Sequence, residues 1–258
     1  MTISIADLEQ AAAPGWRACE EERLGDWLLR AAEGFTGRAN SALAAGHPGL
    51  PLAAAIGKVC SWYAEQGLPP MIAVPYPLGQ PSANDLDRTL ADLGWTLRAE
   101  AATVMTASAR TVAAQTGAAQ TRAAPPAVQI DAEPDAAWQA RYRYRGQELP
   151  PVAIKLLTSA PWQAFASVRS EAEGETIAIG RVAVAGGWAG LTAVEVDPRF
   201  RRQGLGAAVT CALAAAAASR GVDDIYLQVT DENAGARALY RRLGFADHHG
   251  YHYRVAPA

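Results

Sequence analysis

The second half of the chain sets out its elements through hydrophobic patterning. Trp162–Arg169, Thr176–Val184 and Trp188–Val196 are apolar runs rich in β-branched residues and alanine, parted by short polar turns. They predict three antiparallel strands, and Pro198 stops the third. From Ala207 to Arg220, alanines with Val209 and Leu213 give a helical stretch without an internal breaker. Ile225–Val229 then reads as a strand, Ala234–Leu243 as a helix and Tyr251–Val255 as a final strand. In the first half, Ser4 caps a helix over Ile5–Ala13 that Pro14-Gly15 ends. Asp26–Ala32 reads as a strand and Phe35–Ala44 as turn plus strand. Pro51 opens a helix through Gln66, with Leu52, Ile56, Val59 and Tyr63 on one face. Met71–Val74 is a strand, Leu86–Leu93 a helix stopped by Gly94, and Trp95–Met105 is extended. Residues 107–127 change character, to small residues, Gln and Thr, then Pro125-Pro126. A structureless run of this length is out of place inside one domain, so the pattern predicts a linker. Val128–Ile130 begins the next strand, and Pro134–Tyr142 and Pro151–Thr158 read as helices.

One junction carries chemistry. Val194-Glu195-Val196-Asp197-Pro198-Arg199-Phe200-Arg201-Arg202-Gln203-Gly204-Leu205-Gly206 is a strand end, a basic elbow and two glycines that run into the long helix. Backbone N–H groups at a helix start lack intrahelical acceptors and hold anions, aided by the positive end of the dipole. Arg201 and Arg202 add charge beside them. A plain helix cap is the bland alternative. A dinucleotide-binding turn fits poorly, because Val209 takes the place of its third glycine and Asp197–Gln203 separates strand from glycines.

The Arg-x-x-Gly-x-Gly spacing after a strand resembles the acyl-CoA site of the GNAT N-acetyltransferase superfamily. A second segment, Asn233-Ala234-Gly235-Ala236-Arg237-Ala238-Leu239-Tyr240-Arg241-Arg242-Leu243-Gly244-Phe245, is similar to that family's Asn-x-x-Ala-x-x-x-Tyr-x-x-x-Gly-Phe element. The resemblance covers roughly the second half of the chain. It implies an α/β (α+β) fold, a mixed and mostly antiparallel sheet flanked by helices, with acetyl-CoA as acyl donor. Carried onto this sequence, the cofactor contacts are Val194, Val196, Arg201, Arg202, Gln203, Gly204, Leu205, Gly206, Asn233, Ala236 and Tyr240.

The first half repeats this order of elements. With Gly49-Leu50-Pro51 laid over Gly204-Leu205-Gly206, the helices coincide, Met71–Val74 falls near Ile225–Val229, and Leu93-Gly94-Trp95 falls near Leu243-Gly244-Phe245. The repeat departs where chemistry matters. Gly46 and His47 replace the arginines, Pro51 removes an N–H, and Leu90 stands in the slot of Tyr240. The reading is a degenerate, non-catalytic GNAT-like domain over 1–106, a linker over 107–127 and a catalytic domain over 128–258. This tandem layout is similar to that of mycothiol synthase; an unrelated α/β domain is the alternative.

Composition narrows the partners. A net charge of -3 over 258 residues argues against general nucleic-acid binding, so anion binding must be local. Three widely spaced cysteines suit reduced thiols rather than a disulfide framework. The first residues lack a basic start, and Gly204–Ser219 is too short to span a bilayer, so a cytoplasmic protein without membrane contact is expected. Of the histidines His248, His249 and His252, a surface or substrate-lining place is expected over a metal site. Phe35–Ser41 is read as a hairpin in preference to a substrate lip. Among Arg237, Arg241 and Arg242, most are expected in solvent, with one able to reach the 3′-phosphate of CoA.

Tyr240 stands where relatives carry the tyrosine that faces the CoA sulfur, which implies a general acid; a packing tyrosine is the alternative. Its reference pKa of about 10 against about 8.5 for a thiol makes full transfer uphill, though a hydrogen bond serves throughout. Ribosomal-protein alanine acetyltransferases carry a glutamate twelve residues before that tyrosine. Here the position is Gln228, which cannot take a proton, and Glu195 is the nearest ionisable group, as base or as a solvated strand residue. Freeing an amine of pKa about 8 at pH 7 costs roughly 1.4 kcal/mol, against roughly 4.6 for a lysine. The site therefore leans towards α-amines, aromatic amines or aminoglycoside-like amines. Two functions remain open: an N-acetyltransferase acting on a small-molecule or peptide amine, and a CoA-binding regulatory or scaffold protein with little turnover.

Overall fold

The computed structural model describes residues 3–257 apart from 82, 83, 100, 116–126, 144, 145, 147, 171 and 173. Its strands are Glu20–Leu24 (β1), Trp27–Ala31 (β2), Ala42–Leu43 (β3), Met71–Pro77 (β4), Thr96–Leu97 (β5), Ala102–Ser108 (β6), Gln129–Asp131 (β7), Trp162–Arg169 (β8), Thr176–Ala185 (β9), Trp188–Val196 (β10), Asp224–Thr230 (β11) and Ala246–Val255 (β12). They form one sheet in the order β1-β2-β3-β4-β12-β6-β11-β10-β9-β8-β7, with β5 beside β12. The helices are Ile5–Ala12 (α1), Leu52–Glu65 (α2), Asp85–Asp92 (α3), Ala109–Ala114 (α4), Ala136–Arg141 (α5), Pro151–Leu157 (α6), Leu205–Ser219 (α7) and Ala234–Arg242 (α8).

The internal repeat extends to backbone detail. In each half a parallel strand pair flanks a long helix: β3 and β4 around α2, β10 and β11 around α7. Asn84 caps α3 by accepting from Leu86 N, and Asn233 caps α8 by accepting from Ala236 N. Both helices end in a glycine with positive φ, Gly94 at 79° and Gly244 at 99°. Trp95 N–H then bonds the Leu90 carbonyl as Phe245 N–H bonds the Tyr240 carbonyl. Leu90 therefore occupies the place of Tyr240.

The halves exchange their last strands. β11 pairs antiparallel with β6, over Asp224↔Ser108 to Thr230↔Ala102, and β4 pairs with β12, over His249↔Pro77 to Val255↔Met71. β6 and β12 meet between them. Side chains pin the exchange: Asp231 accepts from Thr103 at 2.6 Å, and Asp87 on α3 accepts from His252 at 2.6 Å and from Arg254 at 2.8 and 2.9 Å. The boundary between 1–106 and 128–258 thus separates strands that bond one another. Part of the expected linker is ordered: Ala107 and Ser108 complete β6, and α4 follows, its start fixed by Ser108 and Asp223. Residues 116–126 of that linker lie outside the described residues.

α7 lies directly on the sheet. A Cβ on Gly180 of β9 would fall 2.6 Å from Val209 Cγ1, so glycine there sets the closeness of helix and strand. Val209, Cys211, Leu213 and Ala214 bury against Ile225, Leu227 and Val229 of β11. Tyr226 of β11 turns to the opposite face, against Leu8 and Ala12 of α1. Strand alternation therefore gives β11 one face towards α7 and one towards α1. β1 escapes sequence reading because its Glu20-Glu21-Glu22-Arg23 is an exposed edge, where charge keeps other strands from pairing.

Candidate active site

The sheet splits between two neighbouring parallel strands. β10 pairs with β11 at Ala189↔Ile225, Gly190↔Tyr226 and Leu191↔Leu227, and no further. Past Leu191 a bulge shifts the register of β10 against β9, with Ala193 at φ 54°. A non-glycine residue in that region carries roughly 1–2 kcal/mol of strain. β10 then follows β9 to Val196, while β11 stays on β6 to Thr230. Among the described residues, Thr192–Val196 has no ladder partner on the side facing β11.

On the α7 side of the split lies the elbow. Asp197, 4% exposed, accepts from the N–H, Nε and Nη2 of Arg199 at 2.9–3.2 Å and from Arg141 Nη1 at 2.5 Å. The Arg199 hydrogen bonds, outweighing burial, hold its carboxyl well below the usual carboxylate range. This clamp fixes the turn, and Asp197 is a residue that sequence reading left without a role. Arg202 at φ 66° and Gly204 at φ 82° bend the chain into α7. Ala208 N–H donates to the Gly204 carbonyl at 3.0 Å, so the N–H groups just before it have no acceptor within the helix. Arg201, Arg202 and Gln203 are exposed around them, and Leu205 is buried. A Cβ on Gly206 would come within 3.2 Å of Leu239 on α8. Val194 and Val196 pack on the α7 core. Helix N–H groups, small residues and arginines suit a pyrophosphate.

Tyr240 of α8 joins the same core. It is 8% exposed and packs edge-on against Phe245. Burial alone pushes its pKa up to about 12. Among the described residues its hydroxyl has no hydrogen-bond partner. Asn233 Oδ1 is taken by the Ala236 N–H at 3.0 Å, so the capping role is observed directly. Arg241 and Arg242 are exposed, as expected, and Arg237 is half-buried; Arg237 and Arg241 both bond Asp247, at 3.1 and 2.5 Å.

The other face of the split opens into a cavity of about 300 Å³. Thr192 and Ala193 of β10 and Gln228 and Thr230 of β11 line it, with Tyr251 and Tyr253 of β12 and, from the first half, Trp16, Thr36, Gly37, Arg38 and Arg98. Phe35–Ser41 lies in the connection between the antiparallel strands β2 and β3, as the hairpin reading has it, and also lines the cavity. It folds over the cavity with a short 3-10 turn at Arg38–Asn40. Buried Asn40 staples it, accepting from the Ala32 and Gly34 N–H groups and donating to the Phe35 and Thr36 carbonyls. A Cβ on Gly37 would fall 2.9 Å from Arg98 Nη1 and 3.2 Å from the Tyr253 ring, so a larger residue would shift the side chains that line the cavity.

Gln228 Oε1 accepts from Arg38 Nη2 and, at 3.0 Å, from the Tyr251 hydroxyl. A glutamate here would be held ionised by Arg38, which lowers its value as a base. Glu195 does not line the cavity. Its carboxylate accepts from the Arg143 N–H at 3.3 Å, and burial raises its pKa. His249 and His252 sit neither at the surface nor along the cavity. His249 and His252 are buried and meet Glu9 at 2.9 Å and Asp87 at 2.6 Å, while His248 is half-buried against His249. Among the described residues no three His, Cys, Asp or Glu side chains converge as a metal site, and no helix is long and apolar enough to cross a membrane.

A twice-repeated sheet, split beside a glycine elbow that leads into a helix, defines a tandem GNAT acetyltransferase fold. A tandem GNAT protein from the clavulanic acid biosynthesis pathway shares it, with a TM-score of 0.68 at 13% identity over 99% of this chain and 89% of that one. The uncharacterized N-acetyltransferase YobR of Bacillus subtilis (strain 168) is 28% identical over 97% of this chain and 98% of its own length. The probable histone acetyltransferase Rv0428c of Mycobacterium tuberculosis (strain H37Rv) is 30% identical over 100% of this chain and 75% of its own. The family model described as probable histone acetyltransferase Rv0428c C-terminal matches residues 2–254, and the chain belongs to that family of GNAT-type acetyltransferases.

Proposed function

We propose that the protein transfers an acetyl group from acetyl-CoA to the primary amine of a small molecule or a peptide N-terminus, by direct attack on the thioester. The observation that carries this reading is the split between β10 and β11, with an anion cradle on one face and a polar cavity on the other. Bound acetyl-CoA supplies an activated acyl group whose sulfur gathers negative charge as the acetyl leaves. The N–H groups at Gln203–Gly206, with Arg201 and Arg202, hold the pyrophosphate. The unpaired edge of β10 at Val194 and Val196 holds the pantetheine amides, assisted by Asn233 and Ala236 at the start of α8. Tyr240 keeps its proton and directs its unpartnered hydroxyl at the sulfur.

Proton loss from the acceptor falls to Glu195 through solvent. Its raised pKa makes it a better base than an ordinary carboxylate. Arg38 and Arg98 lower the pKa of an ammonium beside them, which eases the same step. Residues 1–106 form the degenerate unit in this reading. There Pro48 and Pro51 carry no N–H, and two further elbow groups are taken: His47 N–H bonds Asp26 Oδ2 and Gly49 N–H bonds His47 Nδ1, both within 2.9 Å.

Gln228, fixed by Arg38 and unable to take a proton, favours the second reading, a CoA-binding regulatory or scaffold protein. Thiol release from acetyl-CoA, followed against a panel of primary amines, separates the two. Amine-dependent release with an acetylated product is the expected result. Acetyl-CoA binding with no release above the amine-free rate anywhere in the panel overturns the enzymatic reading.

A further inference from the structure

The cavity on the face away from α7 is short of negative charge. Arg38 and Arg98 line it, while Arg30 and Arg181, 3% and 0% exposed, lie behind its wall. Among the described residues none of these four guanidinium groups pairs with a carboxylate. Arg38 bonds the amide oxygen of Gln228, Arg30 bonds Ser41, and Arg181 bonds the carbonyls of Leu157 and Gly15 and the Thr192 hydroxyl. Among the described residues the buried carboxylate near them is Glu9, which lines the adjoining hollow with Arg30 and Arg38 but bonds His249, at 2.9 Å, rather than either arginine. Buried cations are ordinarily paired, because an uncompensated charge costs several kcal/mol.

A second observation points the same way. Trp16, 4% exposed, lines the cavity and lies between Arg38 and Arg181, whose guanidinium carbons are 5.8 and 5.3 Å from its ring. Its indole Nε1 is buried and has no hydrogen-bond partner. Indole N–H only donates, so the missing partner is an acceptor. That N–H is closed off from the cavity, which Trp16 meets with its ring, so the donors that converge on this space are the guanidinium groups of Arg38 and Arg98.

We propose that the acceptor amine carries a carboxylate, bound by Arg38 and Arg98; the substrate is of the amino-acid class. This rests on reading the cavity as the acceptor side of an acetyltransferase. A cationic cavity repels an ammonium ion, and a carboxylate on the same molecule offsets that repulsion. Polycationic acceptors, among them aminoglycoside-like amines and lysine-rich peptides, have no such compensation. Tyr251, Tyr253 and the Trp16 ring offer apolar area to a side chain, and about 300 Å³ suits a molecule of this size.

The test is calorimetric titration of the full chain, without acetyl-CoA, using phenylalanine, phenylalanine methyl ester and phenethylamine, and likewise leucine, its methyl ester and isoamylamine. The free acids are expected to bind at least tenfold tighter than the ester or the amine of the same skeleton. Arg98→Gln, at a half-buried residue with no ion pair to lose among the described residues, is expected to weaken the acids roughly ten- to hundredfold and to leave the esters and amines bound as tightly or more tightly. Equal binding within each set, no binding by either acid, or an unchanged preference in Arg98→Gln overturns the proposal. Acids that bind but are never acetylated would overturn the enzymatic reading and leave this one standing. Efficient acetylation of phenethylamine with no preference for phenylalanine would do the reverse.

Discussion

Residues 128–258 produced alone are expected not to fold, although they contain both sequence motifs. Removing the first half strips β6 from the exposed side of β11 and both β4 and β6 from β12. Met105, Ala109 and Val112, all 0% exposed, leave the core that α7 and Tyr240 share. One buried Met replaced by Ala costs about 2–5 kcal/mol, and the stability of a whole domain is about 5–15 kcal/mol. The loss of a strand, a short helix and their core side chains exceeds what remains. Circular dichroism during urea titration checks this: the fragment should show no cooperative transition, and mixing it with residues 1–127 should restore one. A fragment as stable as the full chain would mean that the exchanged strands contribute little.

Tyr240→Phe is expected to lower kcat by about 10- to 100-fold while leaving KM for acetyl-CoA and thermal stability almost unchanged. The ring keeps its packing against Phe245. The hydroxyl has no partner among the described residues, so the change breaks no internal hydrogen bond. With its pKa pushed up to about 12, the phenol stays protonated throughout the working range. Full transfer to a thiolate of pKa about 8.5 would cost roughly 5 kcal/mol, so the group acts as a hydrogen-bond donor whose value grows as charge develops on sulfur. For the same reason, no loss of rate below about pH 11 should trace to this tyrosine. Full kcat in the mutant would make Tyr240 a packing residue.

The two motifs were legible because each is continuous in sequence. A strand end, an elbow and a helix start place Val194–Gly206 together, and one helix carries Asn233, Ala236 and Tyr240. The repeat was visible for the same reason, in Leu93-Gly94-Trp95 against Leu243-Gly244-Phe245. The cavity was not. Trp16, Arg38, Arg98, Gln228 and Tyr251 come from five separate segments, and only the exchange of β6 and β12 gathers them. Alternation along a strand tells which side chains share a face and is silent about which strand lies next to it. Phe35–Ser41 carried a weak sign in its polar turn residues. What turns it over the cavity is Asn40, whose five bonds to backbone groups have no signature beyond one asparagine. Glu195 was suggested by its place beside the elbow, and its removal from the cavity lining follows the bulge at Ala193.

The measurement that bears most directly on the cradle is calorimetric titration of acetyl-CoA into the full chain and into its Gly206→Pro variant. Gly206 lies in the first turn of α7, where proline is tolerated, and the substitution removes one N–H and sets its ring against the end of the Leu239 side chain. One acetyl-CoA per chain is expected for the unaltered protein, with binding weakened in the variant by roughly 1–3 kcal/mol, the worth of a charge-assisted hydrogen bond. Two molecules per chain, or equal affinity in a folded Gly206→Pro variant, would contradict the placing of the donor at this elbow.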